Sequence, residues 1–292
     1  QGAANLAQVP GSVGLDWFYL GAYPLLETFP GTVTWSTAVT LLIIIGAIPW
    51  LPPMKRQSAA VVDLANCNGC ARCMNDCPYS AITMQIRSDG RPFEGEAVVD
   101  PNLCVACGIC AGACPTSTPF RRLSDLIPGI DLPDRSMAAI REDAEAEGAR
   151  IAGPARIMIF GCVNAGVAMA CRSATVGVVS LNCSGQLPPS FIDYVISQKL
   201  ADGVIIAGCS ENSCHNRFGT RWTADRLART RDPHLRARVP RERLVAVWAG
   251  RLGESMLRRE ISNLAARLAP IGPFKHKAQI SSAIAAEEKS DA

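Results

Sequence analysis

Eight of the thirteen cysteines stand in two runs of one spacing, Cys67-x2-Cys70-x2-Cys73-x3-Cys77-Pro78 and Cys104-x2-Cys107-x2-Cys110-x3-Cys114-Pro115. The chemistry this spacing suits is iron–sulfur ligation. Three cysteines two residues apart let one tight loop wrap three corners of a cubane, and the fourth, ahead of a proline, turns away to ligate the other cluster. The expected sets are therefore Cys67, Cys70, Cys73 and Cys114 for one [4Fe–4S] cluster, and Cys104, Cys107, Cys110 and Cys77 for the other. Gly69 and Gly108 are expected where backbone passes close to sulfide. Zinc sites use pairs of Cys-x2-Cys rather than four-cysteine runs ending in Cys-Pro, so two zinc ions fit less well. An odd cysteine total with eight in tight groups is also unlike a secreted disulfide framework, and it points to a reducing compartment.

Four more cysteines, Cys162, Cys183, Cys209 and Cys214, follow short apolar runs at 157–161, 176–181 and 203–207. If those runs are parallel strands, their carboxyl ends form the edge where ligands sit in open α/β sheets. Four thiols on one edge can hold a [2Fe–2S] cluster. Cys171 is the outlier. Were 163–173 a helix, it would lie about 13 Å from Cys162 at 1.5 Å per residue, so it is read as a small core residue. His215, beside Cys214, is read as a hydrogen-bond donor to the thiolates rather than a ligand.

Elements must position these groups. The runs at 157–161, 176–181, 203–207 and 244–248 alternate with helix-like stretches at 189–198 and 222–230, and an amphipathic run at 254–268 closes the pattern. Strands alternating with helices predict an α/β domain with a mostly parallel sheet. Residues 34–51 are apolar, uncharged and flanked by Trp35 and Trp50, which suits a single membrane helix. Lys55 and Arg56 follow it, with Asp16 and Glu27 on the other side. The positive-inside rule then sets the clusters on the cytoplasmic side of the cell's inner membrane. The N-terminus does not read as a signal peptide.

The expected fold is thus multi-domain. A membrane segment spans 1–57, a small α+β two-cluster ferredoxin module 58–116, a linker 117–153, the α/β domain 154–270 and a flexible tail 271–292. A net charge of +3 is too small to argue for nucleic acid. The arginines between 217 and 243, Arg217, Arg221, Arg226 and Arg229 foremost, are either a solvated helix face or a docking surface that steers an acidic partner.

Across 67–115 the chain resembles bacterial two-cluster ferredoxins. Phe160-Gly161-Cys162, Asn182-Cys183-Ser184-Gly185, Ala201-Asp202-Gly203-Val204 and the stretch from Gly208-Cys209 to Cys214-His215 resemble the delta subunit of methyl-viologen-reducing hydrogenase. That resemblance implies a [2Fe–2S] cluster and a soluble flavoprotein partner of the heterodisulfide-reductase type. The family often has Cys-x2-Cys after its first strand, whereas Ala165 stands here three residues after Cys162.

Ala4-Asn5, Val9-Pro10, Leu15-Asp16-Trp17-Phe18-Tyr19-Leu20 and Pro49-Trp50-Leu51-Pro52 resemble the C-terminal part of cytochrome b. There a Pro-Glu-Trp-Tyr motif sits at the quinol-oxidation site. The resemblance implies that Asp16 takes the glutamate's place as proton acceptor from quinol, with Leu15 for the proline and Phe18 for the tyrosine. It also implies a haem-bearing cytochrome b-type neighbour. The chain's own histidines, His215, His234 and His276, lie beyond the span, so no haem is expected on it alone. Nor is a flavin, since Gly161-x4-Gly166 lacks the Gly-x-Gly-x-x-Gly spacing.

Together these readings predict an electron-transfer subunit of an oxidoreductase complex rather than a catalytic subunit by itself. It would work between a quinone/cytochrome b site and a flavoprotein. The rivals are a thiol/disulfide redox enzyme using the C-terminal cysteines and a membrane-anchored iron–sulfur redox sensor.

Overall fold

A computed structural model describes residues 28–51, 58–120 and 126–274. The chain divides into two compact units, 1–56 and 57–292.

In the first unit, helix α1 (Gly31–Ala47) runs on into a 3-10 turn, Ile48–Trp50. The 20 residues from Gly31 to Trp50 hold an 18-residue window of mean hydropathy 1.8, long and apolar enough to cross a bilayer. Thr34, Ser36, Thr37 and Thr40 each donate their hydroxyl to the carbonyl four residues back, at 2.7–3.0 Å. These four hydroxyls are satisfied within the helix, an arrangement compatible with hydrocarbon surroundings. Asp16, Lys55, Arg56 and the cytochrome b-like stretch 4–20 lie outside the described residues.

The second unit opens with the cysteine-rich module. Strand β2 (Ile82–Ile86) pairs antiparallel with β3 (Gly95–Val99). The short strand β1 (Val61–Val62) pairs antiparallel with β4 (Ile130–Asp131). Helices α2 (Arg72–Asn75) and α3 (Ile109–Ala113) carry the third cysteine of each run, Cys73 and Cys110. Ala60, Ile82, Ala97, Ile130 and Leu132 are buried among the cysteines and form the module's small core.

Strands β5 (Ile157–Cys162), β6 (Val176–Leu181), β7 (Gly203–Gly208) and β8 (Leu244–Trp248) form one parallel sheet in the order β6-β5-β7-β8. Every residue of β5 and β7 is buried, as continuous apolar runs covered on both faces should be. Helices α4 (Met137–Arg150) and α5 (Ser190–Ser197) cover one face, where Ile140, Phe191 and Val195 meet Met158, Phe160 and Ile206. Helix α7 (Glu254–Ile271) covers the other through Leu257, Leu264 and Leu268. The chain's crossovers reverse direction between β5 and β7, which opens a crevice at their carboxyl ends.

Three sequence expectations change. The stretch 163–173 is not a helix. It forms a turn and one 3-10 turn, Met169–Cys171, and Cys171 packs into the apolar layer under α7. The linker at 117–153 is in large part built into both modules. β4 completes the ferredoxin-side sheet, and α4 is a packed helix whose N-cap Ser136 accepts the Ala139 amide at 3.1 Å. Nor does the fold end at 270. Phe274 is buried in the core beside Arg243, whose guanidinium donates to the Gly272 carbonyl at 2.7 Å.

Candidate iron–sulfur sites

The two cysteine runs repeat at an interval of 37 residues, and the backbone repeats with them. Gly69 and Ala106 hold positive φ ahead of the middle cysteine, and Ala71 and Gly108 hold it just after. Alternation of right- and left-handed residues turns successive amides toward one side, a concavity that suits an anion. At Gly69 the requirement differs from the one expected. A Cβ there would stand 2.5 Å from the Gly95 carbonyl oxygen, so the crowding is with β3.

The loops and helices form two small pockets. Cys67, Cys70, Cys73 and Cys114 line the first, together with Met84, Ala97 and Ile130. Cys77, Cys104, Cys107 and Cys110 line the second, with Tyr79, Ile82 and Leu132. The proline after each fourth cysteine ends a run by turning its sulfur into the other run's pocket.

Polar hydrogens reach several of these sulfurs. The amides of Ala60 and Ala81 donate to Cys104 Sγ and Cys77 Sγ at 3.4 and 3.3 Å. Thr116 Oγ1 accepts the Gly129 amide at 2.7 Å, which leaves its own proton for Cys114 Sγ at 3.0 Å. Burial, then the neighbouring Cys114 and Cys70, pushes the Cys73 thiol up to about 12. Burial likewise pushes Cys107 up to about 11 and Cys110 well above the ordinary thiol range. A bound cation would offset the charge of these three buried sulfurs as thiolates. The donor set fits an iron–sulfur cubane.

The third set sits at the crevice. Cys162 ends β5, Cys209 follows β7, Cys183 lies two residues past β6, and Cys214 lies in the loop before helix α6 (Gly219–Leu227). Here the sulfurs meet each other. Cys162 Sγ and Cys209 Sγ are 4.0 Å apart, and thiol hydrogen bonds also join Cys162 to Cys183, Cys183 to Cys214 and Cys214 to Cys209. Hydrogen bonds from Cys183 and Cys209 hold the Cys162 and Cys214 thiols well below the ordinary range. The donors are raised in turn. The donor set fits a [2Fe–2S] centre. Ala165, standing where the family often has a cysteine, is buried against Cys162, Cys209 and Cys214. His215 contributes its backbone amide to Cys209, while its side chain lines an open cleft with Ser210, Ser213 and Arg251. Cys171 stays outside the set.

Most of the contacts joining the second and third sets escaped the sequence reading. Asn182, before Cys183, donates Nδ2 to the carbonyl of Ala106, before Cys107, at 3.0 Å. Tyr79 donates its hydroxyl to Asn216 Oδ1 at 3.2 Å. Arg217 donates to the Pro78 carbonyl at 2.9 Å and lies over the Tyr79 ring. Helix α3 presses Gly112 against the Gly185–Gln186 backbone.

These contacts also correct the arginine expectation. Arg226 is 1 % exposed, paired with Asp76 Oδ2 at 2.5 Å, and offers nothing to an outside partner. Arg217 donates to the Pro78 carbonyl at 2.9 Å, and Arg229 donates to the Leu235 carbonyl at 3.1 Å. Arg217 and Arg221 are exposed. Amphipathic spacing cannot tell a solvated arginine from one facing a second module. The one sequence signal was Asp76, an ionisable residue directly beside a ligand-type cysteine.

Comparison with known families agrees with this anatomy. A model of the methyl-viologen-reducing hydrogenase delta subunit matches residues 157–272, and a 4Fe-4S dicluster model matches residues 66–118. Neither reaches the cytochrome b-like stretch or Asp16. No curated protein matches the chain.

Proposed function

From a chain that carries a methyl-viologen-reducing hydrogenase delta-subunit domain behind a 4Fe-4S dicluster domain, we propose a membrane-anchored electron-transfer subunit of a multi-subunit oxidoreductase. It works between a quinone/cytochrome b site and a soluble flavoprotein of the heterodisulfide-reductase type. Bound iron–sulfur centres, two [4Fe–4S] and one [2Fe–2S], supply one-electron donor and acceptor chemistry.

The cysteines divide the task. Cys67, Cys70, Cys73 and Cys114 hold one centre, Cys77, Cys104, Cys107 and Cys110 the next, and Cys162, Cys183, Cys209 and Cys214 the last. The observation that carries the proposal is the Asn182–Ala106 hydrogen bond, which ties the loop of Cys107 to the loop of Cys183. With Tyr79–Asn216 and Arg217–Pro78 it makes the second set the neighbour of the third. α1 is the anchor, in the cytoplasmic membrane with the cysteine sets on the cytoplasmic side. Asp16 is proposed as a proton acceptor from quinol. The exposed Arg217 and Arg221 remain candidate contacts for an acidic partner.

Iron and acid-labile sulfide analysis of anaerobically purified protein tests the reading. About ten iron atoms per chain, with a [2Fe–2S]-type EPR signal on stepwise reduction, is the expected result. About eight, without that signal, removes the third centre.

A second reading has one observation in its favour. Cys162 Sγ stands 4.0 Å from Cys209 Sγ, the start of a thiol/disulfide couple. It predicts reversible loss of two titratable thiols on mild oxidation and no third EPR signal.

A further inference from the structure

Arg226 and Asp76 are distant in sequence, and both are buried between the second and third cysteine sets. Asp76 precedes Cys77. Arg226, on α6, donates Nη2 to Asp76 Oδ2 at 2.5 Å and Nη1 to the Gly185 carbonyl, two residues past Cys183, at 2.8 Å. Nη2 also lies 3.4 Å from the carbonyl of Ile109, the residue before Cys110. One guanidinium thus touches a neighbour of Cys77, a neighbour of Cys110 and the loop of Cys183. Its Nε finds no hydrogen-bond partner in the described residues. Arg231 reaches Asp76 Oδ1 through Nε at 2.9 Å, so two cations share one carboxylate and the group carries a net positive charge.

For fold stability this is an awkward device. Burying a charged triad is costly, and apolar residues of similar volume often do as well or better. A buried charge is, however, poorly screened, and it acts on whatever lies beside it. A centre gains negative charge on reduction, so a fixed cation nearby favours its reduced form and a fixed anion its oxidised form.

We infer that the Arg226–Asp76 pair, with Arg231, sets the reduction potentials of the centres held by the second and third cysteine sets. Arg226 raises both, and Asp76 lowers chiefly that of the second. The inference rests on the ligand sets proposed above. These are positioning charges and touch no substrate.

The test is an anaerobic redox titration followed by EPR on the full chain, comparing the parent with Arg226→Met, Arg226→Lys, Asp76→Asn and Arg231→Gln. Arg226→Met should lower the midpoints of the second and third centres, and Asp76→Asn should raise that of the second. Arg226→Lys should stay near the parent. At about 10 Å and an effective dielectric of about 20, a unit charge is worth more than a tenfold change in a one-electron equilibrium. Shifts of about 59 mV or more are therefore expected. Arg231→Gln should lower the midpoints by less, because its side chain is 29 % exposed. The first centre should move least.

Shifts of the same sign in Arg226→Met and Asp76→Asn, or equal shifts in all three centres, overturn the inference. If Arg226→Met fails to fold, the opposite signs required of Asp76→Asn and Arg231→Gln decide it. Iron content of the parent separates the two levels. A parent without iron in these sets defeats the ligand reading itself, whereas a loaded parent with unmoved midpoints defeats only the tuning.

Discussion

Asn182 and Ala106 stand 76 residues apart in sequence, yet the side-chain amide of one donates to the carbonyl of the other at 3.0 Å. Each directly precedes a cysteine. Ala106 is buried, so Asn182→Ala leaves its carbonyl without that donor. The expected loss is about 1–2 kcal/mol of stability, read as a lower chemical-denaturation midpoint with iron content unchanged.

A Cβ added at Gly112 would lie 2.1 Å from the Gly185 carbonyl oxygen and 2.8 Å from the Gln186 carbonyl carbon. Backbone cannot rotate out of the way as a side chain can. Gly112→Ala should cost about 3 kcal/mol and part α3 from the 184–186 loop. Limited proteolysis would register this as new cleavage between the modules. Wild-type resistance in the variant would contradict the packing described here.

Cys77 belongs to the first run but lines the second pocket. Cys77→Ala should therefore disturb the same EPR signal as Cys104→Ala and leave the signal lost in Cys67→Ala intact. Grouping of Cys77→Ala with Cys67→Ala would reverse the two ligand sets.

Asp131 supplies a pH test away from the cysteines. Burial raises its carboxyl to about 6, against the amides of Met137 and Leu132 that donate to it at 2.9 and 2.8 Å. Its unfolded value is 3.8, so between the two the folded chain binds the extra proton. Stability from this group is then full below about 4 and lost as pH rises through about 6, a few kcal/mol at most. Asp131→Asn should flatten the fall in denaturation midpoint between about pH 5 and pH 7. An unchanged slope would show that the carboxyl is already ionised at pH 5.

Leu41 lies near the middle of α1. A central arginine in a membrane helix costs about 2.5–3.5 kcal/mol for insertion. Leu41→Arg should shift protein from the carbonate-resistant membrane fraction to the supernatant, and Leu41→Phe should not.

The sheet was legible because its strands are unbroken apolar runs, and α1 because it lacks charge. The cysteine runs were legible through their spacing. Three things were not. The 163–173 stretch reads as helix length, but residues 167–171 form a cap over the sheet, with Cys171 packed as core. Periodicity sees amphipathicity, and Arg226 lies on α6 where a solvated arginine would. What buries it is Asp76, 150 residues earlier, and such contacts leave no local trace. The stretch 117–153 read as a connector because its prolines and charges hide how much of it is shared between modules.

The 37-residue repeat makes the ferredoxin module nearly two-fold alike, and such an object has no front or back. The α/β domain supplies the difference by closing over the loop of Cys107 and leaving Cys70 exposed. One end of a repeated part is exposed while the other is packed against a second module. A near-symmetric part acquires two distinguishable ends in this way without any change to its cysteine spacing.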